Sequence, residues 1–410
     1  MKNGDLFRII KQRTEEIIPE TDLINKLNNS QKTKQTLRIK YGIDPTGADV
    51  HIGHMVPIRK MREFQDLGHT GVIIIGDFTA RIGDPTGRDI TRPPLSTKII
   101  QENAERYMDQ LYTVLDKSKT EVRWQSEWFD NLKLDDILNM LSKFTLAQFL
   151  AHDTFRKRYE SGFALSMHEI MYPLLQGYDS VAISADIELG ATEQKFNILI
   201  GRDMQAHFGM EQQVAMLFPI LMGTDGQKKM SKSYDNYIAI YDSPNEKYGK
   251  VMSIPDNLLI NYFELATNED DQEINDIKKE LADGINPKSI KQRLARKIVE
   301  LYHGEENALV AEQAFDKVFS KKDIPDDIRE FKCNQSPIWI VSLLTDGGLC
   351  KSKGEARRMI RQNAVTIGKE IIKSEDDEIE VEDGTVVKVG KRRFLKLRYI
   401  QGKNKTEEEI

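Results

Sequence analysis

Residues 37–84 change hydrophobic period twice, and the changes predict a strand, a helix and a second strand. Leu37-Arg38-Ile39-Lys40-Tyr41-Gly42 reads as the first strand with its glycine turn. Met55, Ile58, Met61, Phe64 and Leu67 then share one face of a helical repeat that stops at Gly68. Gly71-Val72-Ile73-Ile74-Ile75-Gly76 is an unbroken apolar run, the pattern of a strand covered on both faces in a parallel sheet. Strand, turn, helix and strand in this order predict an open α/β nucleotide fold of Rossmann-like type, with its ligand at the carboxyl ends of the strands. Helical periodicity recurs over residues 103–115 and 133–150. Residues 181–190 read as a strand pair or a strand with its turn, so the α/β unit extends to about residue 221.

Beyond residue 222 the pattern turns polar, then helical and highly charged from residue 246 to 318, with interruptions at Pro255 and Pro287. Alternation over residues 379–389 predicts short strands near the end of the chain. The expected organisation is a parallel-sheet catalytic domain over 1–222, a mobile loop over 223–236 and an all-helical domain over 237–325. A linker over 326–337, an α+β domain over 338–402 and a charged tail over 403–410 complete it.

Composition narrows the class. Hydrophobic residues make up 39% of the 410 positions and charged residues 30%, and no apolar run approaches the roughly 20 residues that cross a bilayer. The first 29 residues mix acids and bases without the apolar centre of a secretory signal. The expectation is a cytoplasmic protein with no membrane role. Cys333 and Cys350 lack metal-ligand spacing and read as free thiols, and no dedicated metal site is expected. A formal net charge of −6 gives no bulk attraction to nucleic acid, so local charge decides. Lys351, Lys353, Arg357, Arg358 and Arg361 crowd one helical stretch, and Lys391, Arg392 and Arg393 form a second basic block.

His51-Ile52-Gly53-His54 directly precedes the first helix, which puts both imidazoles near a helix N-terminus, where anions are favoured. Gly53 leaves room for a close approach by a nucleotide. Far downstream, Lys229-Met230-Ser231-Lys232-Ser233 follows the polar stretch Gly223-Thr224-Asp225-Gly226-Gln227-Lys228 and offers lysines that can clamp a polyphosphate. Together the two segments supply donors for both ends of a nucleoside triphosphate. In this order, far apart in the chain, the pair resembles the signature of class I aminoacyl-tRNA synthetases.

The resemblance narrows to tyrosyl-tRNA synthetases at Tyr172-Pro173-Leu174-Leu175-Gln176-Gly177-Tyr178-Asp179, at Asp44-Pro45-Thr46 and at Ile82-Gly83-Asp84-Pro85-Thr86-Gly87-Arg88. It implies that L-tyrosine is activated by ATP, carried with Mg2+, to tyrosyl-adenylate and pyrophosphate, and then transferred to the terminal adenosine of tRNA(Tyr) by a homodimer. Thr46, His51 and His54 would donate to the phosphates from one side, with Lys229 and Lys232 closing from the other. Asp84, Tyr172 and Gln176 would receive the ammonium, Asp179 the phenol and Gln194 the substrate carbonyl. Asp44, Gly53, Arg88, Glu193 and Ser231 would belong to the ATP site. A carboxylate placed for a hydroxyl is left unpaired by phenylalanine, a discrimination for which tyrosyl-tRNA synthetases are themselves the standard example. The last domain resembles the RNA-binding domain first recognised in the fourth ribosomal small-subunit protein, through Gly354-Glu355-Ala356-Arg357-Arg358 and Val365-Thr366-Ile367-Gly368.

Three departures accompany the resemblance. Ala191 and Glu193 stand in a segment that in the family is usually Gly-Gly-x-Asp-Gln. Lys40 stands where many relatives carry a phenol-binding tyrosine, with Tyr41 beside it, and Arg88 replaces a lysine. Tryptophan-activating relatives, a catalytically silent RNA-binding paralogue and a small-molecule nucleotidyltransferase are the alternatives. Phe155-Arg156-Lys157-Arg158-Tyr159 reads as a solvated helix face or, alternatively, as a contact with tRNA or a second subunit.

Overall fold

The computed structural model describes residues 7–320 apart from 8, 48 and 85–95, and residues 328–399 apart from 369, 391 and 392. Arg88, Lys391, Arg392 and the charged tail lie outside the described residues. The chain forms two compact units, residues 1–312 and 313–410.

The first unit is built on β1 (Glu16–Ile18), β2 (Arg38–Ile43), β3 (Thr70–Ile75), β4 (Thr120–Trp124), β5 (Ile187–Ala191) and β6 (Val214–Phe218), in the order β1-β6-β5-β2-β3-β4. Strands β2 to β6 run parallel, and β1 joins the edge antiparallel to β6. From β2 the chain winds to β3 and β4 on one side, and later to β5 and β6 on the other. The crevice at the ends of β2 and β5 is therefore the topological switch point, where such sheets bind ligands.

The predicted core faces are the buried ones, except that Leu67, the last residue of the helical stripe, caps the helix and is exposed. In β3, Val72, Ile73, Ile74 and Ile75 are buried, as a strand sandwiched between helical layers requires. In α1 (Met55–Asp66), Met55, Ile58, Met61 and Phe64 are fully buried, and a Cβ at Gly71 would strike Met61, so this helix lies close on β3. Three further helices matter to the site: α2 (Thr97–Leu111), α3 (Met167–Ala182) and α4 (Lys195–His207). Val181 and Ala182 close α3 rather than opening a strand. Val181 packs with the cluster around Leu174, Leu175 and Met204, the chain reverses at Ser184 with φ of 52°, and the strand begins only at Ile187. A hydrophobic run alone could not separate a helix end from a strand start.

The charged stretch forms α5 (Pro244–Met252), α6 (Leu259–Ala266), α7 (Asp271–Ala282) and α8 (Pro287–His303), with a further helix over Glu305–Ser320. Pro287 opens α8 in its first turn, where a missing N–H is no loss. Among the described residues no helix is long and apolar enough to cross a membrane.

The second unit has β7 (Glu330–Cys333), β8 (Val365–Ile367), β9 (Glu370–Ile371), β10 (Val386–Val389) and β11 (Arg393–Tyr399), ordered β9-β8-β10-β11-β7. Strand β7 falls within the expected linker and pairs in parallel with β11. Helices α9 (Ile340–Asp346) and α10 (Lys353–Arg361) complete a core that includes Ile340, Leu344, Ile360, Val387 and Leu395, together with the buried free thiols Cys333 and Cys350.

Candidate active site

The histidine segment is joined by its backbone to the stretch just downstream of the lysine motif. Ile52 N donates to Ile238 O at 3.0 Å, Ile240 N donates to Val50 O at 2.9 Å, and His51 bridges Ala239 in antiparallel fashion. The segment that follows the lysine motif is thus zipped onto the one that holds the histidines. Lys232 arrives with it: its Nζ lies 5.6 Å from the Tyr107 ring centre and 3.1 Å from where a Cβ on Gly47 would be. The His51 and His54 rings lie 3.7 Å apart at the start of α1. His51 N donates to His54 Nδ1 at 3.2 Å, which leaves the His54 proton on Nε2.

Burial, reinforced by the Lys232 charge, holds the His54 imidazolium down to about 4; burial, His54 and Lys232 hold His51 well below its ordinary value. Both rings are neutral at pH 7 and act as N–H donors rather than cations. Gly53 has a nearer purpose than ligand access, because a Cβ there would press on the His51 ring at 3.0 Å.

The lysine loop, expected to be mobile, is folded in this structure. Asn236 ties it, accepting from Ser231 N at 2.8 Å and donating to Asp225 and to the Lys229 carbonyl. Met230 is buried, and the Ser231 hydroxyl caps the turn at Ser233. Lys229 reaches Glu193 at 2.7 Å, with their side chains 36% and 35% exposed.

Between these segments a cavity of about 320 Å³ opens at the ends of β2 and β5, lined among others by Thr46, His54, Glu193, Tyr172, Gln176 and Asp179. Asp44 anchors its wall, accepting from the Tyr172 hydroxyl at 2.8 Å and the Thr79 hydroxyl at 2.6 Å. A side chain at Gly76 would collide with both Asp44 and Thr79. Because the Tyr172 proton is committed to Asp44, its oxygen is presented as an acceptor. Gln194 donates to Asp84 at 2.6 Å and accepts from Asn197 at 3.0 Å, so both ends of its amide are used within the protein. Gln176 donates to Glu188 at 3.1 Å, leaving its amide oxygen for a ligand.

Asp179 closes the cavity. It accepts from Gln125 at 2.8 Å and from the Trp128 indole at 3.2 Å. Burial pushes its carboxyl up to about 7, opposed by the Lys40 charge and these two donors. Gln125, Trp128 and Thr79 carry no motif, and sequence reasoning missed them. It also missed what Lys40 does. Lys40 pairs with Glu188 at 3.0 Å, with the side chains 0% and 1% exposed, and donates to the Gln176 carbonyl at 2.8 Å and the Ser180 hydroxyl at 2.7 Å. Gln213 also donates to Glu188, and Gly201 makes room for the group, since a Cβ there would strike Gln213 and Ser180. Tyr41, one residue on, lines the cavity itself.

In the second unit, Lys353 and Arg357 flank the Trp339 ring at 5.5 and 5.7 Å. Arg357 and Arg361 pair with Glu375, and Arg393 is tied to Glu355 at 2.8 Å and to the Leu349 carbonyl. Lys351, Lys353, Arg358 and Arg361 are exposed. Part of the basic cluster is thus neutralised from within. Residues 155–159 lie on a helix whose Phe155 and Arg158 turn inward, Arg158 onto Glu169 at 2.6 Å, so the solvated face is only Arg156, Lys157 and Tyr159.

Comparison with known proteins places the chain in a family. A family model described as tRNA synthetases class I (W and Y) matches residues 31–320, and one described as the tyrosine–tRNA ligase SYY-like C-terminal domain matches residues 320–397. The chain is 47% identical over 392 residues to the tyrosine–tRNA ligase of Moorella thermoacetica, covering 95% of each protein. It is 46% identical over 398 residues to that of Thermotoga maritima, covering 97% of this chain and 98% of the relative. The fold is similar to the crystal structure of tyrosyl-tRNA synthetase from Aeropyrum pernix, with a TM-score of 0.62, 19% identity and coverage of 78% of this chain and 99% of that one. The chain therefore belongs to the class I tRNA synthetase family of tryptophan and tyrosine enzymes, among its tyrosine–tRNA ligases.

Proposed function

We propose that this protein activates L-tyrosine with ATP and transfers it to the 3′-terminal adenosine of tRNA(Tyr). The observation that carries this reading is the backbone zipper between residues 50–52 and 238–240, which sets the histidine pair and Lys232 at one end of a cavity that Asp179 closes. The tyrosine carboxylate attacks the α-phosphorus in line, pyrophosphate leaves, and no covalent enzyme intermediate is needed. Positioning and charge stabilisation supply the rate. Thr46 and the neutral imidazoles of His51 and His54 donate to the phosphates. Lys229 exchanges Glu193 for phosphate oxygen as Lys232 closes over the triphosphate, which arrives with Mg2+ as part of the substrate. Asp44, Gly53 and Ser231 support the ATP site from behind.

At the amino-acid end the Tyr172 oxygen, the Gln176 oxygen and the Asp84 carboxylate receive the ammonium, with Gln194 holding Asp84. Asp179 accepts the phenol. Lys351, Lys353 and Arg358 offer the RNA surface in the second unit. A cytoplasmic homodimer is the form we assign by family likeness, and sedimentation tests the dimer.

Pyrophosphate exchange into ATP with the full-length protein tests the activity. Tyrosine should support exchange and tryptophan and phenylalanine should not. Absence of tyrosine-dependent exchange by pure protein overturns the reading.

A further inference from the structure

A second cavity, of about 410 Å³, lies between the N-terminal segment, α1 and α8, and is lined in part by Arg13, Arg59, Arg62, Glu63, Asp66 and Tyr302. It shares no lining residue with the first. Arg59 is its unusual member. The residue is 8% exposed, and its Nε and Nη1 are buried without a hydrogen-bonding partner.

The neighbouring cations are all provided for. Lys60 is held by Glu63 at 2.5 Å. Arg62 is held by Asp66 at 2.8 Å and the Val114 carbonyl at 3.2 Å, and Arg13 by the Glu269 carbonyl at 2.8 Å and by Glu63 at 3.4 Å. Glu63, four residues beyond Arg59 on the same helix, is already shared by Lys60 and Arg13. Burial lowers the Arg59 guanidinium only to about 10, so it stays charged at neutral pH and cannot escape by losing its proton. Tyr302 and Glu63 favour the charge, yet two of its three nitrogens make no hydrogen bond, an unfavourable state for a group removed from water.

We propose that this cavity binds a small oxyanion, a phosphate or a carboxylate, paired with the Arg59 guanidinium in its wall. Two carboxylates in the wall, Glu63 and Asp66, oppose a long polyanion such as an RNA backbone and leave room for one compact anion. Since the walls come from both the sheet-covering helix α1 and the helical layer, occupancy ties the two together and registers as stability.

Thermal unfolding of the full-length protein in chloride, phosphate and citrate buffers of equal ionic strength tests this, with Arg59→Met and a Lys229→Ala/Lys232→Ala double variant alongside. At about a hundred times Kd, phosphate or citrate should raise Tm by about 5 °C in the wild type and equally in the lysine variant. A response to phosphate alone identifies a phosphate-type ligand, and to citrate alone a carboxylate. Arg59→Met should not respond, and in chloride it should melt at or above the wild-type temperature, because an unpaired buried charge is gone. A variant that melts lower or fails to fold gives the guanidinium a structural partner and overturns the proposal. So does an anion response kept by Arg59→Met, missing from the wild type, or lost with the two lysines.

Discussion

Glu188 and Glu193 line one cavity and are paired at nearly equal separations, 3.0 Å to Lys40 and 2.7 Å to Lys229, yet the surroundings of the two pairs differ. The first pair is sealed from water, and Gln176, Ser180 and Gln213 complete its hydrogen bonds. The second is about one-third exposed. A buried ion pair with every donor and acceptor used is scaffold, because breaking it strands a charge. An open pair is nearly free to exchange partners. One cavity therefore uses the same two residue types first as a fixed floor and then as a latch, which in the proposed mechanism a phosphate displaces.

The largest expected effect comes from Lys40→Met, which leaves Glu188 uncompensated and should cost about 3–5 kcal/mol in denaturant unfolding. The same variant sharpens the link to tyrosine. With Asp179 in its proposed role as a carboxylate acceptor for the phenol, selectivity over phenylalanine should develop as pH rises through about 7. Without the Lys40 charge, the Asp179 carboxyl moves further up, and the selectivity profile in kcat/KM should move to higher pH. An unmoved profile would separate Lys40 from recognition and leave it a stability role alone.

Glu193→Gln is the small-effect counterpart. Its stability should change by no more than about 1 kcal/mol, while the KM for ATP falls by up to about fivefold as Lys229 is released. If the two substitutions were equally destabilising, the contrast between floor and latch would fail.

Local period carried much of the fold into the sequence: the stripe of α1 and the apolar run of β3 needed no tertiary information. Long-range pairing did not. Strand β7 reads as linker because its partner β11 lies at the far end of the unit, and four short residues have too little pattern to declare a strand. At the site, the motifs marked the histidines, the lysines and the Tyr172 helix, and the structure brings them together. Lys40 was legible only as a departure from the family pattern, since its meaning resides in Glu188 and Gln213, which no spacing rule connects to it. Gln125 and Trp128 became visible as Asp179 partners only once β4 was set beside β3. In the second unit, charge counting overstated the free basic surface, because Glu375 and Glu355 consume arginines that look available along the chain.

The central claim is that the two signature segments act on one triphosphate. A double-mutant cycle with His54→Ala and Lys232→Ala, read as the single-turnover rate of tyrosyl-adenylate formation, tests it most directly. Each substitution alone should slow the step by about 10²–10³-fold. Together they should lose less than the product of the two, with a coupling of about 1 kcal/mol or more, as for groups sharing one transition state. Strictly multiplicative losses would mean that the two segments act independently, and would contradict the account.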